Sequence, residues 1–150
     1  WAVNLGLNYK PNGENGWWYE KQLSIARKLI FTKWQAGLGG ELKVMVSGSA
    51  ALQPRLTKIF AAANMPIMEG YGLTETSPVI TVNDEKNKGF RPGTVGKVIA
   101  DVIVKIAENG EILVKGPNVM MGYFKDAAKT AEILKDGYFH TCGRPISAGS

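Results

Sequence analysis

The sequence predicts an α/β fold in which a parallel-sheet α/β portion is followed by a small antiparallel β module. In the first half, segments with helical apolar spacing alternate with short apolar runs typical of buried parallel strands. Later, two β-rich segments flank Asn109-Gly110, a strong hairpin signal. The 150 residues are 45% hydrophobic and 21% charged, which is typical of a globular domain.

The amino-terminal segment predicts a loop followed by a helix. The turn dipeptides Asn12-Gly13 and Asn15-Gly16 precede Trp17-Trp18 without any apolar period, so this opening is predicted to be a loop. A helix is predicted from about Glu20 to Trp34, with glycines ending it. Its apolar stripe consists of Leu23, Ala26, Ile30 and Trp34, and the basic residues predicted to face away from it are Lys21, Arg27 and Lys28.

A strand, a helix and a second strand are predicted next, over Lys43–Ser47, Pro54–Ala63 and Met65–Met68. This order is typical of a right-handed crossover between parallel strands. If the two strands are neighbours, the segments Gly48–Ala50 and Gly70–Glu75 share the rim at the carboxyl ends of the strands. Open α/β sheets bind ligands at that rim, so the sequence predicts a binding crevice there.

The remaining elements belong to the antiparallel module. The pattern predicts a strand over Val79–Val82, a bend over Arg91–Gly96, and hairpin strands over Asp101–Ile106 and Glu111–Lys115. Asp126 is predicted to cap a short helix that runs to Leu134, with Gly137 as its terminator.

Tyr71 to Pro78 is the segment that most suggests a function. The phenol of Tyr71 can stack on a purine for about 1–3 kcal/mol, and the bare Gly72 lets a ligand approach the backbone. Thr74 can donate a hydrogen bond to phosphate, and Glu75 can bind a magnesium ion. A β-turn that exposes polar side chains explains the segment alone equally well. The shared rim favours a nucleotide site.

Composition and charge narrow the function classes. A single cysteine, Cys142, excludes an internal disulfide, and a single histidine, His140, leaves too few ligands for a structural zinc site. The sequence contains no run of about 18 apolar residues, so it predicts no membrane span. Residues 1–60 carry eight basic against three acidic residues, a balance that suits an anionic partner. We favour a solvated helix face there, because the basic residues are not interleaved with aromatic ones.

Five segments, taken together and in this order, resemble the motifs of adenylate-forming enzymes. They are Val46–Leu52, Tyr71–Pro78, Arg91–Gly96, Gly110–Tyr123 and Asp136–Thr141. Ordered blocks are more specific than any one of them. The resemblance covers roughly residues 37–141, and the spellings Ser-Gly-Ser-Ala-Ala-Leu and Thr-Glu-Thr-Ser-Pro look most like long-chain fatty acyl-CoA synthetases.

The resemblance implies ATP, AMP, a fatty acid and coenzyme A as ligands, with Mg²⁺ as the metal. It implies a two-step reaction in which a fatty acid forms an acyl-adenylate that is transferred to coenzyme A. The resemblance also implies a role for individual residues. Gly48, Ser49 and Ala50 would form a wall of the adenine and acyl site, and Glu69 and Gly70 would lie at the edge of the purine. Tyr71, beside Gly72, would stack on the purine, Thr74 would contact the α-phosphate, and Glu75 would bind magnesium.

The chain departs from the family at its end. The family places Gly-Asp after the residue equivalent to Thr141, and that aspartate holds the ribose, whereas this chain has Cys142-Gly143. The phosphate loop and the carboxyl-terminal domain with a catalytic lysine are not among the 150 residues. We therefore expect a fragment from the middle of the large amino-terminal domain, inactive by itself. We divide it into an α/β portion (1–83), a β module with a short helix (84–141) and a tail of cloning or frame-shift origin (142–150).

Two rival functions remain open. One is another adenylate-forming ligase for short-chain or aryl acids, and the other is a non-enzymatic module that binds anionic surfaces or nucleic acid. We expect small-molecule partners and no nucleic acid, and a cytoplasmic location. Peripheral association with the inner face of a membrane, and self-association through surfaces exposed by truncation, also stay open.

Overall fold

The computed structural model describes residues 1–48, 50–84 and 90–143. The chain forms two compact units. The first unit contains Trp1–Glu69 and Asn83–Gly96, and the second contains Gly70–Val82 and Lys97–Ser150. The domain division at residues 83 and 141 stays a prediction, and most of the proposed tail, residues 144–150, lies outside the described residues.

The first unit is mainly helical. Its helices are α1 (Ala2–Leu7), α2 (Trp17–Ala26), a π-helical turn (Arg27–Phe31), α3 (Thr32–Gly37) and α4 (Pro54–Ala62), with a 3₁₀ turn at Pro11–Gly13. The predicted opening loop is wrong at α1 and at Trp17. Helix α1 is too short to show an apolar period, and it forms against α4, where a Cβ on Gly6 would lie 3.0 Å from Ile59 Cα.

The predicted helix over Glu20–Trp34 exists within the longer helical run, but its buried face changes at the π-helical turn. Leu23, Ala26 and Phe31 are fully buried, whereas the predicted core residue Ile30 is 36% exposed. A π turn contains one extra residue, so the buried side shifts by one position. Arg27 does not simply face solvent, because its Nε donates to the carbonyl of Ala62 at the end of α4.

The strand–helix–strand prediction is confirmed with altered bounds. Strand β1 (Met45–Ser47) pairs in parallel with β2 (Ile67–Tyr71), and Ser47 lies opposite Glu69. Pro54 begins α4, and Asn64 follows the helix with a φ of 58°. Strand β2 is longer than predicted and ends at Tyr71. Because the two strands are parallel neighbours, the polypeptide leaves both in the same direction.

The second unit is built from antiparallel strands. They are β3 (Thr81–Val82), β4 (Lys97–Val98), β5 (Ile103–Ile106), β6 (Ile112–Lys115), β7 (Leu134–Lys135) and β8 (Tyr138–His140), with α5 at Ala127–Ile133. Strands β5 to β8 form a sheet in the order β5-β6-β8-β7, which confirms the predicted hairpin and β module. The buried core consists of Ile80, Ile112, Val114, Ile133 and Phe139.

Gly137 does not end α5, contrary to the prediction. The Asp126 carboxylate accepts from the backbone of Lys129 and caps the helix as expected, but α5 ends at Ile133. Gly137 instead forms a two-residue hairpin turn with Asp136, and both have positive φ. An Asp-Gly turn of this type matches the twist of paired strands, so the strand pairing decides the conformation here.

Among the described residues, no helix combines the length and apolar character that crossing a membrane requires.

The shifted register of the first helical run makes a testable prediction. Replacing the fully buried Phe31 with alanine should lower the free energy of unfolding by about 3–5 kcal/mol. Replacing the neighbouring Ile30 should cost about 1 kcal/mol, because that side chain is already partly in water. Urea denaturation measures both values. A larger cost for Ile30→Ala than for Phe31→Ala would contradict the π-helical register.

Candidate functional site

The segment from Tyr71 to Ile80 in the second unit forms a closed loop around a buried threonine. After β2 ends at Tyr71, residues Thr74–Thr76 make one 3₁₀ turn. The Thr76 hydroxyl accepts from the backbone N–H of Leu73 at 3.0 Å and donates to its carbonyl at 2.9 Å. The Ile80 N–H then donates to the Tyr71 carbonyl at 2.8 Å. The loop is therefore fixed by its own hydrogen bonds.

Gly72 permits this closure. A Cβ at this position would lie 1.7 Å from the carbonyl oxygen of Pro78 and 2.9 Å from Val79 Cα. Only a residue without a side chain fits beside the returning backbone. From the sequence, we interpreted Gly72 as a position where a ligand approaches the backbone. The structure adds a second reason for glycine, because the backbone of Pro78 and Val79 leaves no space for a side chain.

A turn of the β module braces the loop from outside. Asn118 Nδ2 donates to the carbonyls of Thr76 and Val79 at 3.1 and 2.8 Å. The Met120 N–H donates to the carbonyl of Glu75 at 2.8 Å. The sequence gave no reason to assign a role to Asn118, because its hydrogen-bond partners Thr76 and Val79 are about forty positions away. Its only sequence signal was its place in the fourth motif.

The loop presents Thr74 and Glu75 to solvent. Thr74 is exposed and Glu75 is partly exposed, whereas Thr76 between the loop backbones is buried. The Tyr123 hydroxyl donates to Glu75 Oε1 at 2.7 Å. This hydrogen bond is the main reason that the pKa of Glu75 lies below its usual value. Glu75 is therefore a carboxylate at neutral pH.

The donor set fits a magnesium ion shared with a nucleotide. Within the described ranges, no three His, Cys, Asp or Glu side chains cluster as a metal cage. Magnesium commonly binds one or two carboxylates together with substrate phosphates, and it keeps several waters. Glu75, the carboxylate of the Tyr71–Ile80 loop, is partly exposed and suits that mode of binding.

Tyr71 lies beside the end of the described chain. Its ring is half-buried and packs on the core of the second unit. A Cβ on Gly143 would lie 2.9 Å from the Tyr71 hydroxyl. Gly143 is the second residue after Thr141, which is the position where the resemblance places the ribose-binding aspartate. Glycine has no side chain that could bind a ribose. The predicted stacking residue and that position are thus adjacent.

Glu111 holds this last segment in place. Its Oε1 accepts from the Cys142 N–H at 2.9 Å, and its Oε2 lies 3.1 Å from His140 Nδ1. The Cys142 hydrogen bond is the first cause that keeps the pKa of Glu111 below its usual value. The Gly143 carbonyl accepts from the N–H of Ile112, so the segment continues the strand pairing beside β6.

The other predicted site residues lie in the first unit or where β2 leaves it. Gly48 and Ala50 are exposed after β1, and Ser49 lies outside the described residues. Glu69 is 5% exposed, and its Oε1 accepts from Thr57 Oγ1 at 3.2 Å and from the Gly93 N–H at 3.3 Å. This carboxylate therefore ties β2 to α4 and to the bend before β4.

The second unit brings together five of the predicted residues, namely Gly70, Tyr71, Gly72, Thr74 and Glu75. Gly70 is part of β2 and approaches the Thr81 carbonyl, where a Cβ would lie at 3.1 Å. Gly48, Ala50 and Glu69 belong to the first unit. A site that combines residues of both units stays a prediction.

Comparison with known proteins gives the family. The profile of the AMP-binding enzyme family matches residues 11–124. The chain belongs to the AMP-binding enzyme family. This match includes both predicted loops, β2 and the bracing turn with Asn118 and Tyr123.

Curated relatives cover most of the chain. Long-chain-fatty-acid–CoA ligase FadD15 of Mycobacterium bovis is 39% identical over 118 residues, which are 79% of this chain and 19% of the relative. Long-chain-fatty-acid–CoA ligase 1 of Homo sapiens is 38% identical over 131 residues, or 79% of this chain and 18% of the relative. The chain thus spans about a fifth of the length of these relatives.

Solved structures support the fold. O-succinylbenzoate coenzyme A synthetase (MenE) from Bacillus subtilis, in complex with ATP and magnesium ion, superposes with a TM-score of 0.58 at 25% identity. The similarity covers 73% of this chain and 26% of the synthetase. The predicted α/β portion with an antiparallel module is therefore confirmed as part of an adenylate-forming fold.

The close approach at Gly72 predicts an asymmetric effect of two alanine substitutions. Gly72→Ala should lower the free energy of unfolding by about 2 kcal/mol or more, because the backbone of the loop must move. Gly48→Ala is the matched control: its Cβ would meet no atom within 4 Å, and we expect a change within about 0.5 kcal/mol. Equal costs in urea denaturation would contradict the closed loop.

Proposed function

We propose that the full-length protein containing this chain is an AMP-forming long-chain fatty acid–CoA ligase. The observation that carries the proposal is the similarity over 79% of the chain to proteins named long-chain-fatty-acid–CoA ligases. The AMP-binding family match supports ATP and AMP as the nucleotides. The same family match argues against the rival proposal that the chain is a non-enzymatic module that binds anionic surfaces or nucleic acid.

The proposed reaction has two steps. A carboxylate oxygen of the fatty acid attacks the α-phosphorus of ATP, and the bond from that phosphorus to the pyrophosphate oxygen breaks. The thiol of coenzyme A then loses its proton and attacks the acyl carbon, and the bond to the AMP oxygen breaks. Both steps develop negative charge on phosphate oxygens, so orientation and electrostatic stabilisation supply most of the rate.

The residues of the Tyr71–Ile80 loop have separate roles in this proposal. The ring of Tyr71 stacks on the purine, and the exposed hydroxyl of Thr74 donates to an α-phosphate oxygen. Glu75 would hold the metal. A magnesium ion bound there would neutralise charge on the phosphate oxygens. The braced loop holds Thr74 and Glu75 in place before substrate binds, which lowers the entropic cost of ordering these two residues.

A ligase for another acid is the alternative. It is favoured by the similarity to a synthetase for O-succinylbenzoate, which is an aryl acid. The nucleotide residues of the loop would be the same in both cases, and the acyl pocket would differ.

Acid selectivity of the full-length protein separates the two functions. We expect acyl-CoA formation to be fastest with palmitate and oleate, slower with octanoate, and negligible with acetate, benzoate and O-succinylbenzoate. Thioester product is measured by chromatography at saturating ATP and coenzyme A. Faster turnover of benzoate or O-succinylbenzoate than of palmitate would support the aryl-acid alternative instead.

Removing the charge of Glu75 tests the metal assignment. Glu75→Gln in the full-length protein should lower the rate of ATP–pyrophosphate exchange by about 100-fold, because the amide cannot bind magnesium as a carboxylate does. Glu132→Gln is the control, since Glu132 is an exposed carboxylate on α5 of the same unit. An exchange rate for Glu75→Gln equal to that of Glu132→Gln would refute the assignment.

A further inference from the structure

One side chain from the β module determines the position of the Glu75 carboxylate. The Tyr123 hydroxyl donates to Glu75 Oε1 at 2.7 Å, a length typical of a charge-assisted hydrogen bond between a hydroxyl and a carboxylate. The bond lowers the pKa of Glu75 and raises that of Tyr123, so both groups keep the protonation states that the bond requires. These two residues are 48 positions apart in the sequence.

Tyr123 is itself fixed by α5. Its backbone N–H donates to Thr130 Oγ1 at 2.8 Å, and that hydroxyl donates to the Asp126 carbonyl at 2.8 Å. The preceding Gly122 has a φ of 149°, and a Cβ there would lie 2.6 Å from Thr130 Cγ2. The Nζ atom of Lys129 lies 4.8 Å from the centre of the Tyr123 ring. Three contacts therefore fix Tyr123: the hydrogen bond of its backbone N–H, the close packing of Gly122 on Thr130, and the contact of its ring with Lys129.

The same segment also holds the backbone of Glu75, through the N–H of Met120. Glu75 is thus fixed at two points, its carbonyl and Oε1, by residues only three positions apart. The hydrogen bond from Tyr123 reaches Oε1 and not Oε2. The carboxylate also accepts from the backbone N–H of Glu75 itself, which restricts its orientation further. A flexible glutamate side chain would otherwise lose rotamer freedom when it bound a cation.

We propose that Tyr123 is a positioning residue for the metal site, which orients Glu75 so that Oε2 faces the divalent cation of the bound nucleotide. The inference rests on the proposed function, since it assumes that Glu75 binds that cation. From the sequence, Tyr123 was only the last residue of the fourth motif, Gly110–Tyr123. The hydroxyl at 2.7 Å gives it a chemical role through Glu75. Partners of this kind change metal affinity about 10–100-fold when they are removed.

The test compares Tyr123→Phe with Tyr138→Phe in the full-length protein. Both changes remove one hydroxyl and keep the ring, and both rings lie 4.8 Å from a lysine Nζ in the second unit. The probe is an ATP analogue with a methylene group between the α- and β-phosphorus, which cannot be cleaved there. Its dissociation constant is measured by calorimetry with and without MgCl₂, and the ratio of the two constants is the magnesium-dependent gain.

We expect Tyr123→Phe to reduce the magnesium-dependent gain about tenfold and to leave the affinity without magnesium unchanged. Tyr138→Phe should retain the wild-type gain. In the Glu75→Gln background, adding Tyr123→Phe should have no further effect, because the hydroxyl acts only through the carboxylate.

The possible failures are distinguishable. If Glu75→Gln removes the gain while Tyr123→Phe retains it, the positioning role is wrong and the proposed function stands. If Tyr123→Phe weakens the analogue equally with and without magnesium, Tyr123 has a general structural role and the inference is also overturned. If Glu75→Gln itself retains the gain, the metal assignment under the proposed function fails, and the inference fails with it.

Discussion

The close contact between Gly72 and the backbone at Pro78–Val79 is the constraint on which the candidate site depends. It allows the chain to turn back within a few residues of β2, so that Ile80 enters the core of the second unit. The polar side chains of the turn are then forced outward, except for Thr76, whose hydroxyl satisfies the loop's own backbone. The exposed Thr74 and the partly exposed Glu75 of the loop are a direct result of this closure.

The rigidity comes from the β module as well as from the loop. Asn118 and Tyr123 lie on one segment after β6, and both donate hydrogen bonds to the loop. Pre-ordered groups contribute more to catalysis than mobile ones, because no reorganisation is needed when charge develops. The β module therefore supports the Tyr71–Ile80 loop as well as completing the fold.

Sequence reasoning recovered the features that depend on local pattern. The parallel strands, α4, the hairpin at Asn109-Gly110 and the Asp126 cap all follow from apolar spacing and turn chemistry. It failed where packing or an extra residue decided the outcome. Helix α1 forms against α4, Phe31 replaces Ile30 in the core within the π-helical turn, and strand pairing assigns Gly137 to a hairpin. The contact of Tyr123 with Glu75 joins distant positions, so no local pattern could predict it.

The proposed function requires the Tyr71–Ile80 loop to bind a nucleotide through the ring of Tyr71, the hydroxyl of Thr74 and the carboxylate of Glu75. A crystal structure of the full-length protein with magnesium and the non-cleavable ATP analogue tests this most directly. We expect the adenine against the ring of Tyr71 and the metal at about 2.1 Å from Glu75 Oε2. Electron density for the analogue and its metal at a position that touches neither residue would contradict it.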